Sequence, residues 1–291
     1  MRIDDKACAV PPRSSQELLC ENNMATRLPH KIVGGKLGPF NGNLETIQFE
    51  RVLSSDIVEP STGEIAHSRV FQVSIEGKPF ALKVFNFFSM DEIWPVVLGK
   101  DHLLKPNVVR HHLDPFYAEC RAFGSLVKKK KDDKLAVRCH GYVFLPRAVE
   151  QQIERQFGIS DWNRKADDEG SPLRAIVKDY IKGKTVRGRK TYGAMRKNLE
   201  ELNELGIYNM DVRKANYLGG RLFDFSIAIT VPHLSFWLRL RSIERIVEDM
   251  DDDLLCFDEM VEGLREEEEQ RLPNQLSWKR RTRAGTRSQN P

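Results

Sequence analysis

The sequence predicts an α+β fold of short strands and amphipathic helices. Three observations carry this. A hairpin pattern runs from Val70 to Phe85, and a capped helix pattern runs from Asp114 to Val127. A second amphipathic helix then feeds a strand-loop-strand stretch, Leu205 to Ala228. At 291 residues the chain can hold one large domain or a two-lobed one. Its 40% hydrophobic and 30% charged residues suit a globular protein with polar tails. The five cysteines include no pair at zinc-finger spacing, and the first residues do not form a signal peptide pattern. No apolar run approaches about 20 residues, so no membrane crossing is expected. Free thiols in a reducing compartment, cytosol or nucleus, are therefore expected.

Residues 1 to 44 read as a loosely ordered leader, with Gly34-Gly35-Lys36-Leu37-Gly38-Pro39 as a flexible entry. That run lacks the Gly-Lys-Ser/Thr ending of a phosphate-binding loop. Leu44 to Leu53 reads as a first strand. Val70–Ile75 and Pro79–Phe85 form a hairpin turning at Glu76-Gly77-Lys78. Alternation along the second arm puts Ala81, Lys83 and Phe85 on one face. A lysine on an apolar face needs an anionic partner or a route to water, and an edge-strand lysine that snorkels is the plain alternative. Between the hairpin and His112 an extra helix is expected, and His111-His112 reads as a solvated turn.

Asp114 is placed to cap a helix that starts with Pro115 and runs to Val127. Phe116, Cys120, Phe123 and Val127 fall on one face, and Glu119 lies on that same face. A carboxylate there requires a cation, with Lys83 the favoured partner and Arg121 the alternative. Leu135–Leu145 and Leu173–Tyr180 read as strands, with a helix and loop over Glu150–Gly170 between them. Thr191–Leu205 is an amphipathic helix through Met195, Leu199 and Leu202, stopped by Gly206.

In the stretch that follows, Asp211 and Asn216 stand five apart with Arg213 between them. Gly219-Gly220 makes a two-residue hairpin turn, and the returning segment ends at Asp224. Phosphoryl transfer needs such a set: one carboxylate orients the attacking hydroxyl, while an amide and a second carboxylate hold magnesium. The plain alternative is a hairpin edged by solvated turn residues. Beyond it, Ser235–Met250 and Leu254–Glu269 read as two helices. Residues 248–269 hold twelve acids and one base, Arg265, which reads as a solvated face.

Asn209-Met210-Asp211-Val212-Arg213-Lys214-Ala215-Asn216, then Asp224-Phe225-Ser226, resembles the protein-kinase signature H-R-D-L-x-x-x-N, then D-F-G. The His, the Arg before the Asp and the final Gly are missing. Ala81-Leu82-Lys83 resembles the kinase Val-Ala-Ile-Lys. That resemblance implies that Lys83 holds the phosphates of ATP, Ala81 roofs the adenine, and Glu119 pairs with Lys83. A kinase places G-x-G-x-x-G between its first two strands, whereas the link from Ser54 to Glu64 carries one glycine. No Ala-Pro-Glu follows Phe225.

Longer runs carry a closer resemblance: Phe80 to Phe88, His112 to Gly124, Leu135 to Tyr142, Arg174 to Lys178, Leu205 to Tyr217, Asp224 to Ser226 and Val231 to His233. By these the chain resembles the fungal family grouped with the Fta-two subunit of the inner-kinetochore Sim-four complex, whose members carry a kinase-like domain. The resemblance implies a protein-kinase-like two-lobed fold with a truncated C-terminal lobe. After the leader, 45–180 would form the first lobe, 181–269 the reduced second lobe and 270–291 a disordered basic tail, with Tyr180–Lys184 at the crossing between lobes.

Two functions follow from that resemblance. One is an atypical ATP- and Mg2+-dependent phosphotransferase, with Asp211 as base and Arg213 neutralising the transferring group. Asn216 and Asp224 would bind magnesium, and Ala81, Lys83 and Glu119 would serve the nucleotide. The other is an inactive kinase-fold scaffold that docks kinetochore or chromatin proteins. Either implies the nucleus, at the kinetochore, or the cytoplasm. The tail, Lys279-Arg280-Arg281-Thr282-Arg283 with Arg287, has the composition of a nuclear-import signal or a nucleic-acid contact; a disordered solvated tail is the alternative. If it directs import, a fluorescent fusion with these five bases changed to Ala should lose nuclear enrichment. An unchanged distribution would remove the tail from that role.

Overall fold

The computed structural model describes residues 34–54, 66–89, 105–182, 189–236 and 241–285. The leader up to residue 33, the glycine-poor link over 55–65, the end of the expected lobe crossing at 183–184 and the basic side chains of the expected tail lie outside the described residues.

Five strands form one antiparallel sheet: β1 (Gln48–Val52), β2 (Ser68–Ile75), β3 (Lys78–Phe85), β4 (Cys139–Leu145) and β5 (Leu173–Asp179), in the order β1-β2-β3-β5-β4. The expected hairpin of β2 and β3 turns at Glu76-Gly77, with Ile75 opposite Lys78. β1 starts at Gln48, later than the sequence suggests, because Leu44–Thr46 forms a 3-10 turn capped by the Asn43 side chain. Likewise β4 starts at Cys139, since Ala136 makes only an isolated bridge to Leu222.

Strand alternation gives this sheet two working faces. Phe71, Val73, Ile75, Leu82, Val84, Ala175 and Val177 pack on one face with Trp162 and with Val149 and Ile153 of helix α3 (Arg147–Phe157). The opposite face meets helix α2 (Pro115–Lys128), which follows the short α1 (Pro106–Leu113). Phe85 and Ile176 of that face join Phe116, Ala122, Phe123 and Leu126 of α2. The same apolar cluster continues into α4 (Arg189–Glu204), through Met195, Leu199 and Leu202, and into α5 (Ile243–Gly285), through Phe257, Val261 and Leu264. One core therefore ties the sheet to the helical half.

Between α4 and α5 lie β6 (Ile207–Tyr208), β7 (Tyr217–Leu218), β8 (Arg221–Leu222) and β9 (Ile229–Thr230). β6 pairs with β9, and β7 pairs with β8 across Gly219-Gly220. Both glycines have positive φ, 57° and 80°, as a two-residue hairpin turn of this hand requires.

Several expectations are corrected. The two helices expected between Ser235 and Glu269 are a 3-10 turn at Leu234–Phe236 and one helix, α5, whose backbone continues to Gly285 through the expected tail. Val127 is 43% exposed, because the last turn of α2 meets the core through Leu126, which puts the neighbouring Val127 off the buried face. His111 and His112 belong to α1 rather than to a turn, and His112 is buried against the ring of His233.

The glycine-rich entry is also corrected. Gly38 O accepts from Tyr142 N at 3.1 Å and Phe40 N donates to Tyr142 O at 2.8 Å, so this segment runs beside β4. Leu37 is buried in the core. A Cβ at Gly124 of α2 would stand 2.4 Å from the backbone of Lys36, so the missing side chain is what admits the segment. Gly124→Ala should therefore cost about 1–3 kcal/mol, as overpacking against backbone does. An unchanged urea midpoint would show that the segment is not seated there.

Candidate functional site

The inner sheet face presents three cations to α2. Arg174, Lys83 and Lys178 share it, since Ala81 stands opposite Lys178 in the ladder and Lys83 lies two residues on from Ala81. Helix α2 answers with two acids. Asp114, its N-cap, accepts from Phe116 N at 3.0 Å and pairs with Arg174. Glu119, with no solvent exposure, takes Lys83 on Oε2 at 2.7 Å and Lys178 on Oε1. The sequence favoured Lys83 over Arg121 as the partner of Glu119. Arg121 turns away and donates to the Thr230 and Pro232 carbonyls.

Asp224 closes the cluster from the helical half. Its Oδ1 lies 2.6 Å from Lys83 Nζ and accepts from Ser226 N at 2.9 Å. Lys178 Nζ also donates to the Phe223 carbonyl at 2.7 Å, fixing the residue before Asp224. Burial works against charge on Lys83, but Asp224 and Glu119 outweigh it, so its pKa is raised. Burial likewise opposes charge on Asp224, yet Lys83 and Lys178 hold its carboxyl well below the usual range. Two lysines and two carboxylates thus compensate one another.

Asp211, Arg213 and Asn216 meet in a second group. Asn216 Nδ2 donates to the Asp211 carbonyl at 2.8 Å and to its Oδ2 at 2.7 Å. Arg213 Nε lies 3.1 Å from Asp211 Oδ1. Asn209 joins the two groups: its Nδ2 donates to the Asp224 carbonyl at 2.6 Å, while its Oδ1 accepts from Asp211 N at 3.3 Å. The structure therefore brings Lys83, Glu119 and Asp224 into direct contact, and Asp211, Arg213 and Asn216 into direct contact. Ala81 touches neither group in any described bond and takes its place through the ladder beside Lys178.

Two residues at this site escaped the sequence reading. Lys178 sits in an apolar strand as Lys83 does, and the argument that singled out Lys83 applies to it unchanged. Asp253 lies inside the acidic run read as a solvated face, yet it is fully buried. It accepts from Asn209 N at 2.6 Å and Met210 N at 2.8 Å. Met210 has φ of 63°, a conformation that side chains disfavour, so the loop before Asp211 is held by this carboxylate. Burial pushes Asp253 up to about 6, against the pull of those two N–H donors. Its position three after Met250 and four before Phe257 puts it on the apolar face of α5, which was the available signal.

These residues define an α+β protein organised around a buried ion-pair cluster. Residues 24–229 match the family model described as kinetochore Sim4 complex subunit FTA2, and the chain belongs to that family. No curated protein matches the chain. Among the described residues no helix is long and apolar enough to cross a membrane.

Loss of charge at Asp253 should loosen the loop that carries Asp211. Asp253→Asn should cost roughly 1.5–3 kcal/mol, the range for hydrogen bonds to a charged group. In hydrogen exchange the amides of Asn209 and Met210 should lose protection first. Wild-type exchange at those two amides would sink this assignment.

Proposed function

We propose that this chain is a kinetochore subunit whose core is a protein-kinase-like two-lobed fold with a shortened second lobe, used as a docking scaffold for other kinetochore proteins in the nucleus. Family membership supports the kinetochore role. Three placements support the kinase-like reading: a lysine on an antiparallel sheet, its glutamate on a helix across the inner face, and two acids on a strand-loop-strand beyond. One observation favours the scaffold. Glu119 is compensated by two lysines and Asp224 by Lys83, so the cluster is neutral on its own side chains. Such a cluster holds its shape with nothing bound, which is what a scaffold needs.

A second reading, an atypical ATP- and Mg2+-dependent phosphotransferase, has its own supporting observation. Asn216 turns its amide nitrogen to Asp211, which leaves its side-chain oxygen, together with the Asp224 carboxylate, as the oxygen donors of the set. Oxygen donors of this kind suit magnesium. In this reading Asn216 and Asp224 hold the metal, Lys83 neutralises phosphate, Glu119 positions Lys83, and Ala81 borders the adenine. Bound ATP supplies the transferable phosphoryl group. Asp211 orients the attacking hydroxyl and takes its proton, with Arg213 beside it.

Thermal melting with Mg-ATP separates the two, because a ligand of the native state adds RT ln(1 + [L]/Kd) to stability. The scaffold reading expects no shift in the melting temperature at saturating Mg-ATP. A clear shift that Asp224→Asn abolishes and Asp211→Asn leaves intact would overturn it in favour of the phosphotransferase.

A further inference from the structure

We propose that Lys178 is a built-in counter-ion of the buried cluster, latching α2 and the Asp224 segment onto the sheet without any ligand. This rests on the scaffold reading and names the residue that makes it workable. Three contacts carry it. Lys178 leaves β5 on the same face as Lys83, its Nζ pairs with Glu119 Oε1, and it donates to the Phe223 carbonyl at 2.7 Å. One side chain therefore ties together the sheet, α2 and the segment leading into Asp224.

The charge balance shows what Lys178 supplies. Glu119 and Asp224 are two carboxylates in contact with one Lys83. A single ammonium leaves that set one positive charge short, and a desolvated negative charge is costly. Lys178, 4% exposed on its side chain, makes up the difference. Without it, Lys83 would be claimed by Glu119, which has no exposure, and Asp224 would be left short of a cation. The side chain of Asp224 is 26% exposed, so a small hard cation from solvent can reach it while none can reach Glu119.

The test uses the full chain, magnesium alone as probe, and no nucleotide. Melting temperatures are compared in magnesium chloride and in chelator for wild type, Lys178→Met and Lys178→Arg. Wild type should melt identically in both. Lys178→Met should melt roughly 5–10 °C lower, as loss of a buried charge partner implies, and should regain part of that in magnesium. Lys178→Arg keeps the charge and should stay insensitive to magnesium. The proposal is overturned if Lys178→Met melts like wild type, or if magnesium raises wild type and variant equally. Should Lys178→Met fail to fold, Lys178→Gln carries the same comparison. A shift with Mg-ATP in wild type would sink the scaffold reading yet leave this inference standing, because the magnesium comparison is made without nucleotide.

Discussion

Glu119 is a carboxylate with no access to water, fixed between two lysines that come from neighbouring strands. Removing one partner from such a group leaves a buried charge, which costs on the order of 3–5 kcal/mol. Replacing the whole set with apolar side chains of similar size is often neutral or stabilising. The cluster is therefore poorly explained as a source of net stability. It is better explained as a constraint on position. Only one placement of α2 against β3 and β5 brings Glu119 to both Lys83 and Lys178, and only one placement of the Asp224 segment completes it. Apolar surfaces can slide across one another; paired charges in a dry site cannot.

That constraint reaches both halves of the chain. The sheet and α2 share it through Lys83, Lys178 and Glu119, with Arg174 and Asp114 as a further pair at the start of the helix. The helical half joins through Asp224, and from there Asn209 passes the restraint to the Asp211 loop. Asp253 then anchors the same loop to α5. The chain of contacts runs from sheet to long helix through polar groups alone, inside an apolar core that is already continuous. In the scaffold reading proposed above, such rigidity would favour docking, since a surface held in one shape loses less entropy when a partner binds.

The corrections share a cause. Local permissiveness of glycine suggests a flexible entry, but Gly35 abuts Ser125 and Gly124 abuts the backbone of Lys36 and Leu37, so the two backbones approach closely. Twelve acids between residues 248 and 269 suggest a solvated face, but Asp253 turns into the core. In each case a local average hid one residue whose partner is far away in sequence.

What the sequence by itself determined is the set of elements and the residues with something to explain. The capped start of α2 at Asp114, the hairpin at Glu76-Gly77, the turn at Gly219-Gly220 and the stop of α4 ahead of Gly206 follow from short-range chemistry. So does the demand that Lys83 and Glu119, each on an apolar face, find an opposite charge. The tertiary structure alone decided how that demand is met. Glu119 has two lysines rather than one, because β3 and β5 are neighbours in the sheet although about ninety residues separate them in the chain. Asp253 serves the Asp211 loop because α5 crosses behind it. Propensity and periodicity act over a few residues, whereas a buried charge is satisfied by whatever the fold brings within about 3 Å of it.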